Sequence, residues 1–561
     1  MSPRARRMAG SFSAVTLALT ILQQGGPAMS RTVDGGSPYR STLCRTGDGR
    51  LTIADAPAGS TPAEGCRTLS LPVPPASVAW VGAVARSDPP GRDRLVLSGT
   101  GQGAGFTASG VGFEEPPTPS RATPLALDRS LIPAMTARTF GVEERAVVSR
   151  TEEAVTLRCG PGVRPAGVVL DPGPARLPDG ARLTLRWHVT GDPGFSASVA
   201  GPASEGEAAA LPMDGRLDRT PPAGDSPRFV LACPASAGTT TLLDLRLVSQ
   251  AANGEAVRPP LSAWAWRPHR WREAPDDLVA EALARRITRL FVSVAIAEDT
   301  IAEEARFSTF VGLARASGIA VAVVEGDPGM ALDEGRAAAL RRLGALVAYQ
   351  RRAAPESRLA GVQYDIEPYL LPGFQAHPDA ILRGWATTLD ALSAAADPLD
   401  LDLVLPFWLP LHPAAGLVMP AVGRGARRVT VMAYRTTPAE IVAAAEPLLA
   451  WTASAARPLH VALEAGPVTD ETARTYRPAD SGDLLLLPQA GGDALALLLT
   501  TPIGSPASGR IYALERESVA PASRVSFLGD RQRLDDAIAQ ISTGLSAWSS
   551  FSGLALHGVI D

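Results

Sequence analysis

From about residue 262 to the C-terminus, the chain alternates short apolar, strand-like runs with longer helix-like stretches. The strand-like runs are Ala263–Arg267, Arg289–Ala297, Ala320–Gly326, Gly361–Glu367, Leu401–Trp408, Arg428–Tyr434, His460–Gly466 and Gly553–Val559. Helical runs lie between them at Pro275–Arg286, Ile301–Ser317, Glu334–Ala353, Asp379–Ala396, Pro438–Ala455 and Leu534–Ala547, with a weaker one near 415–425. The run from Glu334 to Ala353 is dense in Ala, Leu and Arg, residues that lose little on entering a helix. Eight strands alternating with helices over residues 262–561 predict an α/β fold, a (β/α)8 TIM barrel closed by parallel strands. The connection between the last two strands, 467–533, is long and has strand-like stretches of its own (Asp483–Leu487, Gly509–Leu514), so an inserted subdomain beside the barrel mouth is expected.

Residues 31–260 have another pattern: short β-rich runs separated by Gly, Pro and Asp. They are Leu95–Ser98, Ala146–Ser149, Ala154–Arg158, Arg182–Val189, Phe195–Val199, Arg228–Ala232 and Thr240–Val248. Polar and apolar residues alternate from Arg182 to Val189, as in a strand with one wet face. The spacing predicts a β-rich accessory region with a sandwich over 140–255, either sugar-binding or purely structural. The segment around 31–75 is compatible with a small disulfide-stapled unit. The run Gly99-Thr-Gly-Gln-Gly-Ala-Gly105 superficially resembles a dinucleotide loop, but the residues after it make a poor helix start, so a β-turn is expected.

Composition places the protein in a compartment. Arg4, Arg6 and Arg7 precede an apolar stretch from Met8 to Leu22, and Ala28-Met29-Ser30 offers a cleavage site, so 1–30 reads as a secretion signal and the mature chain as secreted or periplasmic, with no membrane span. Four cysteines fit an oxidising destination. Cys44–Cys66 with Cys159–Cys233 is the simplest of three pairings, and their spacing disfavours zinc. The formal net charge of −4 supplies no field for a polyanion, so nucleic acid is not an expected partner. There is no lysine, so every basic side chain is an arginine.

Candidate chemistry belongs at the C-terminal ends of the barrel strands. Those ends carry Glu325 and Asp327 on the third strand, and Gln363, Tyr364, Asp365 and Glu367 on the fourth. The fifth adds Trp408, the sixth Met432, Tyr434 and Arg435, the seventh Glu464 and the eighth His557. Acids and aromatics gathered on one rim suit a sugar, because aromatic faces stack on pyranose rings and carboxyl groups perform acid–base work on the glycosidic bond. Asp365 and Glu367 are two apart on one strand, so both face the lumen, and their proximity raises one pKa toward that of a general acid. Asp327 in a Gly-Asp-Pro turn has capping as its alternative role, and Arg435 either recognises an anionic sugar or pairs with a rim acid such as Glu367. The six histidines show no ligand spacing, so neither a catalytic metal nor another cofactor is expected.

The run from Leu359 to Glu367 resembles the fourth-strand signature of glycoside hydrolase family 18, the chitinase family, whose pattern is Asp-x-x-Asp-x-Asp-x-Glu. Met432-Ala433-Tyr434 resembles that family's Met-x-Tyr motif, and the insertion after strand seven has a counterpart there. The resemblance covers roughly 262–561 and implies an enzyme acting on a polysaccharide or oligosaccharide. It implies Glu367 as the acid protonating the leaving oxygen, Asp365 as the group orienting a substrate 2-acetamido nucleophile, and Tyr434 as a donor to that acetamido carbonyl. Here Ala360 and Gln363 replace the pattern's first two aspartates, Arg435 comes after the tyrosine, and the last-strand tryptophan is absent, with His557 nearby. Two alternatives remain open: a retaining glycosidase with Glu367 as acid/base and Glu464 as nucleophile, or a non-catalytic carbohydrate-binding barrel.

Overall fold

The computed structural model describes residues 39–560, apart from 46–50, 57–60, 64, 85–93, 114–121, 142–143, 201–208, 211–213, 220–226, 252–257, 298, 372–373, 375–376, 490–493, 505 and 507. The stretch read as a secretion signal lies outside the described residues.

The eight expected strands form one closed parallel barrel. They are β1 (Leu261–Ala265), β2 (Ile287–Val292), β3 (Ala320–Glu325), β4 (Val362–Tyr364), β5 (Leu401–Pro406), β6 (Arg428–Met432), β7 (Leu459–Glu464) and β8 (Phe551–His557), with β8 pairing back onto β1. Helices such as Glu304–Ala316, Asp333–Arg352, Pro378–Ala395 and Pro438–Ser454 connect them. Period-two alternation divides each strand between two environments. On β3, Val321 and Val323 pack with the helices while Ala322 and Val324 face the lumen; on β7, Val461 and Leu463 face out and Ala462 faces in. The small lumen residues Ala322, Ala462 and Ala555 leave room for Trp264 and Phe291, whose ring centroids are 5.5 Å apart.

The barrel floor is polar. Asp402 sits between Arg428, at 3.0 Å, and Arg289, at 3.7 Å. Burial, reinforced by those two guanidiniums, pushes His460 down to about 3, so it is neutral at any working pH, with Nδ1 3.4 Å from the Ser262 hydroxyl.

Two five-stranded antiparallel sheets form the sandwich ahead of the barrel. Leu183–Gly191 is an interior strand of one sheet and turns Leu183, Leu185, Trp187 and Val189 inward. Trp187 meets Phe229 of the opposite sheet edge-on at 5.9 Å, and Cys159–Cys233 links the two sheets. Both disulfides adopt the simplest pairing, and Cys44–Cys66 joins directly opposed residues of neighbouring strands.

The insertion is not self-contained. Its strands Glu471–Pro478, Ser481–Pro488, Ala494–Gly504 and Arg510–Ala520 belong to a seven-stranded sheet. Val78–Val84 forms one edge of that sheet, and the hairpin Leu95–Thr100/Thr107–Phe113 completes the other. The glycine run is the turn of this hairpin: Gly101 and Gly103 take positive φ, and a Cβ on Gly99 would lie 2.2 Å from the Thr107 carbonyl oxygen. The three-stranded sheet that starts at Tyr39 packs Leu43 and Leu71 against Leu485, Leu487 and Leu497 of the insertion. The N-terminal segment therefore finishes a sheet begun about four hundred residues later in the chain, as the Tyr476–Leu95 pairing shows.

One buried ion pair fastens the segment ahead of the sandwich strand Leu183–Gly191 to the barrel. Both terminal nitrogens of Arg176 donate to the Glu446 carboxylate on helix Pro438–Ser454, and the Asp179 backbone N–H donates to the same group at 2.8 Å. Removing one partner would strand the other charge in the interior. Arg176→Ala is expected to destabilise the protein by about 3–5 kcal/mol, measured by urea denaturation; a loss below about 1 kcal/mol, the range of a solvent-screened surface pair, would overturn this reading.

Candidate active site at the barrel mouth

Asp365 and Glu367 leave the end of β4 and are both almost fully buried. The backbone there is tightly enclosed: a Cβ on Gly326, just past β3, would sit 2.3 Å from the Asp365 carbonyl oxygen. Burial pushes the Asp365 carboxyl up to about 6. Burial together with the Asp365 charge pushes Glu367 up to about 8, against a hydrogen bond donated by the Tyr369 hydroxyl. Two adjacent carboxyls in a low-dielectric site cannot both ionise cheaply, so the pair holds one proton near neutral pH, mainly on Glu367. Asp365 Oδ1 is buried with no hydrogen-bond partner among the described residues, an acceptor suited to an N–H or O–H that a ligand would bring.

Tyr434 lies just beyond β6 and lines the same lumen cluster as Met432 and Trp264. Burial, then the charges of Glu464, Asp365 and Glu367, holds its phenol well above the usual tyrosine range, so it stays a neutral donor. Tyr369 is raised in the same way, by burial and then by Glu367. Trp408 is half-buried on the rim and meets Tyr369 edge-on at 5.4 Å, with His412 5.6 Å away.

Glu464 is occupied. One oxygen accepts the Gly466 N–H at 2.6 Å and the other lies 2.6 Å from His557 Nδ1. Gly558 closes over this carboxylate at φ +71, where a Cβ would lie 2.9 Å from Glu464 Oε1. A nucleophile needs an oxygen aimed at the sugar; this carboxylate has both oxygens committed, which works against the alternative nucleophile role. His557, which showed no partner in the sequence, bridges Glu464 and the Trp266 indole, whose Nε1–H donates to His557 Nε2 at 2.9 Å.

Other rim candidates lie away from the acid pair, for reasons of strand alternation. Glu325 faces the helices and forms a two-pronged ion pair with Arg342 of Asp333–Arg352, each contact 2.7 Å. Tyr364 is buried on that same outer side, not in the lumen. Asp327 accepts from the Gly329 N–H at 2.8 Å and caps a short 3-10 turn, the alternative role its motif allowed. Gln363 does face the lumen, but below the mouth: its carbonyl accepts from Trp264 Nε1 at 2.7 Å and its amide faces Thr430 Oγ1 at 3.4 Å. The Arg435 guanidinium lies over Phe407, 4.7 Å from the ring centroid, and donates to the Tyr434 carbonyl rather than pairing with Glu367. Strand-end position alone does not single out Tyr369 and Trp266, although each lies two residues beyond an inward-facing residue, Glu367 and Trp264.

No protein-family profile matches the chain, and no curated protein matches it. Among solved structures, a family 18 chitinase from Cycas revoluta in complex with (GlcNAc)3 aligns over 54% of this chain and 95% of its own, at 14% identity and a TM-score of 0.31. The spore cortex-lytic enzyme SleL of Bacillus cereus aligns over 56% and 73%, at 12% identity and a TM-score of 0.30. The Clostridium thermocellum endo-1,4-beta-D-xylanase 10B modules complexed with xylohexaose align over 59% and 80%, at 9% identity and a TM-score of 0.24. The barrel assignment itself stands on the strand pairing of this chain.

The buried acid has a consequence for stability. Glu367 ionises near its ordinary value of 4.5 when unfolded but near 8 when folded, so the native state binds the extra proton between those limits and stability falls as pH rises through them. Glu367→Gln removes this penalty and keeps an acceptor for Tyr369. Its melting temperature is expected to match wild type near pH 4 and to exceed it increasingly up to about pH 8; a pH-independent difference in calorimetry would contradict the raised pKa.

Proposed function

We propose that the barrel mouth is a glycoside-hydrolase-type site that cleaves a polysaccharide containing N-acetylhexosamine, with Glu367 as general acid. The observation that carries this reading is a pair of adjacent buried carboxyls, one protonated and one with an unpartnered oxygen. Protonated Glu367 gives its proton to the glycosidic oxygen as the bond to the anomeric carbon breaks. Asp365 Oδ1 accepts the N–H of the substrate's 2-acetamido group and polarises it, so that the acetamido oxygen attacks the anomeric carbon and forms a cyclic oxazolinium. Tyr434 donates to that acetamido oxygen and holds it in line. Water then attacks the same carbon, losing a proton to the Glu367 carboxylate, and the acetamide is restored. The two disulfides suit a protein that works in an oxidising compartment, which supports secreted or periplasmic action on an envelope or environmental polysaccharide.

The mechanism needs Asp365 ionised and Glu367 protonated, so kcat/KM on chitin oligosaccharides is expected to rise as pH passes about 6 and to fall as it passes about 8. Glu367→Gln should lower turnover by about 10²–10⁴-fold while oligosaccharide binding survives. Unchanged turnover would remove Glu367 from the acid role, and binding with no turnover in wild type would leave a carbohydrate-binding barrel. A thiazoline analogue of the oxazolinium should inhibit tightly if the acetamido group is the nucleophile; millimolar inhibition or weaker would exclude that step.

A further inference from the structure

The strands of a parallel barrel begin at the end opposite its mouth, and that end carries charge which the proposed chemistry does not use. Five arginines stand on the connections that enter the strands. Arg286 directly precedes β2 and Arg427 directly precedes β6, while Arg358 lies between the 3-10 turn Pro355–Ser357 and β4. Arg315 and Arg351 occupy the last turns of helices Glu304–Ala316 and Asp333–Arg352. All five are exposed, and none forms an ion pair with a carboxylate among the described residues. Three of them donate to backbone carbonyls instead: Arg315 to Pro355, Arg351 to Asp397 at 3.2 Å and Arg358 to Ala353 at 3.3 Å. These contacts, with the Arg427 N–H on the Leu401 carbonyl at 2.7 Å, join the turns before β3, β4, β5 and β6 into one surface. Arg286 stands on the adjoining turn, since β2 pairs with β3. Arg315, Pro355, Glu356 and Arg358 line an open hollow of about 530 Å³ in this surface. Helix C-termini favour cations, which accounts for Arg315 and Arg351. Arg286, by contrast, holds a left-handed φ of 58, where glycine is the unstrained choice. At the centre of this end Arg289 and Arg428 share one carboxylate, Asp402, and burial followed by repulsion from Arg428 holds the Arg289 guanidinium below its usual range. The net charge of −4 is therefore an average, from which this end of the barrel departs toward positive.

We propose that this face is a docking surface for an acidic polysaccharide, a polymer whose sugars carry carboxylates, and that it tethers the barrel while the mouth at the other end stays open. Exposed guanidiniums without a carboxylate bind one in a two-pronged contact and break no ion pair in doing so. A polyanion spanning several of them gains from each further contact once the first has formed. The turns and helix ends that carry the five arginines expose a single large apolar side chain among their described residues, Leu283, too little to sink into a lipid layer. The choice of a glycan over a nucleic acid rests on the carbohydrate reading of the mouth and on the two disulfides, which suit an oxidising compartment.

Affinity electrophoresis of the full chain through gels containing polygalacturonate, compared with gels containing neutral dextran, tests the surface. Wild type is expected to be retarded by polygalacturonate alone, and the retardation to fade as salt is added. The triple variant Arg286→Gly/Arg358→Ser/Arg427→Ser is expected to bind polygalacturonate more weakly by about tenfold or more. Arg286→Lys/Arg358→Lys/Arg427→Lys keeps the charge and is expected to retain most of the affinity. Arg138→Ser/Arg158→Ser/Arg341→Ser removes the same charge from exposed positions elsewhere and is expected to bind as wild type does. Equal losses in the two neutralised triples, or wild-type affinity in the first of them, overturn the docking surface. Tighter binding at equal salt to a short DNA duplex or to phosphatidylglycerol vesicles overturns the glycan assignment. Turnover of chitin oligosaccharides tests the mouth separately: its absence in wild type sinks the hydrolase reading, whereas retention by polygalacturonate still decides the surface at the opposite end.

Discussion

Burying Asp365 and Glu367 side by side is the constraint around which the mouth is arranged. An isolated ionised carboxylate is costly in an apolar interior, and a second next to it costs more. The site meets this by keeping a proton on the pair and by giving Glu367 one donor, Tyr369. The net effect is unfavourable to folding near neutral pH, because the unfolded chain would ionise both acids freely. A penalty retained at the mouth of a barrel is offset by the cores elsewhere in the chain.

The surroundings hold that pair still. Below it, Trp264, Phe291 and Gln363 fill the lumen, so the carboxyls have a packed base rather than a channel. Across the mouth, Glu464 and His557 are tied to each other, and Val525, on the segment returning from the insertion, packs against the same cluster. Ser526 pairs with Glu464 as an isolated bridge and its hydroxyl donates to the Gly466 carbonyl at 2.6 Å, so the end of the insertion also anchors the Glu464 loop. The insertion in turn leans on the N-terminal strands through the seven-stranded sheet, which gives Val78–Val84, Leu95–Thr100 and Thr107–Phe113 a mechanical connection to the site.

Most of the aromatic side chains described in the sandwich lie inside it, while Phe140 is half-buried over Gly167. Trp187, Phe195 and Phe229 all belong to the inter-sheet core. The region is joined to the barrel by Arg176 and Glu446.

The sequence alone determined what depends on local periodicity and on residue type. Alternation of strands and helices specified the eight-stranded barrel, the polar–apolar alternation of Arg182–Val189 specified a half-buried strand, and the spacing of Asp365 and Glu367 turned both acids the same way. Four cysteines allowed three pairings, and the fold forms the simplest of them, Cys44–Cys66 with Cys159–Cys233. Only the tertiary structure decided partners far apart in the chain, because periodicity says which face a residue occupies and not what lies opposite it. That is why Glu325 is an ion pair with Arg342 rather than a rim acid, and why Glu464 has its oxygens on Gly466 and His557. It is also why the strands at Val78–Val84 and Leu95–Thr100 complete a sheet with residues 471–520: an edge strand's hydrogen-bonding groups carry no record in sequence of which edge will receive them.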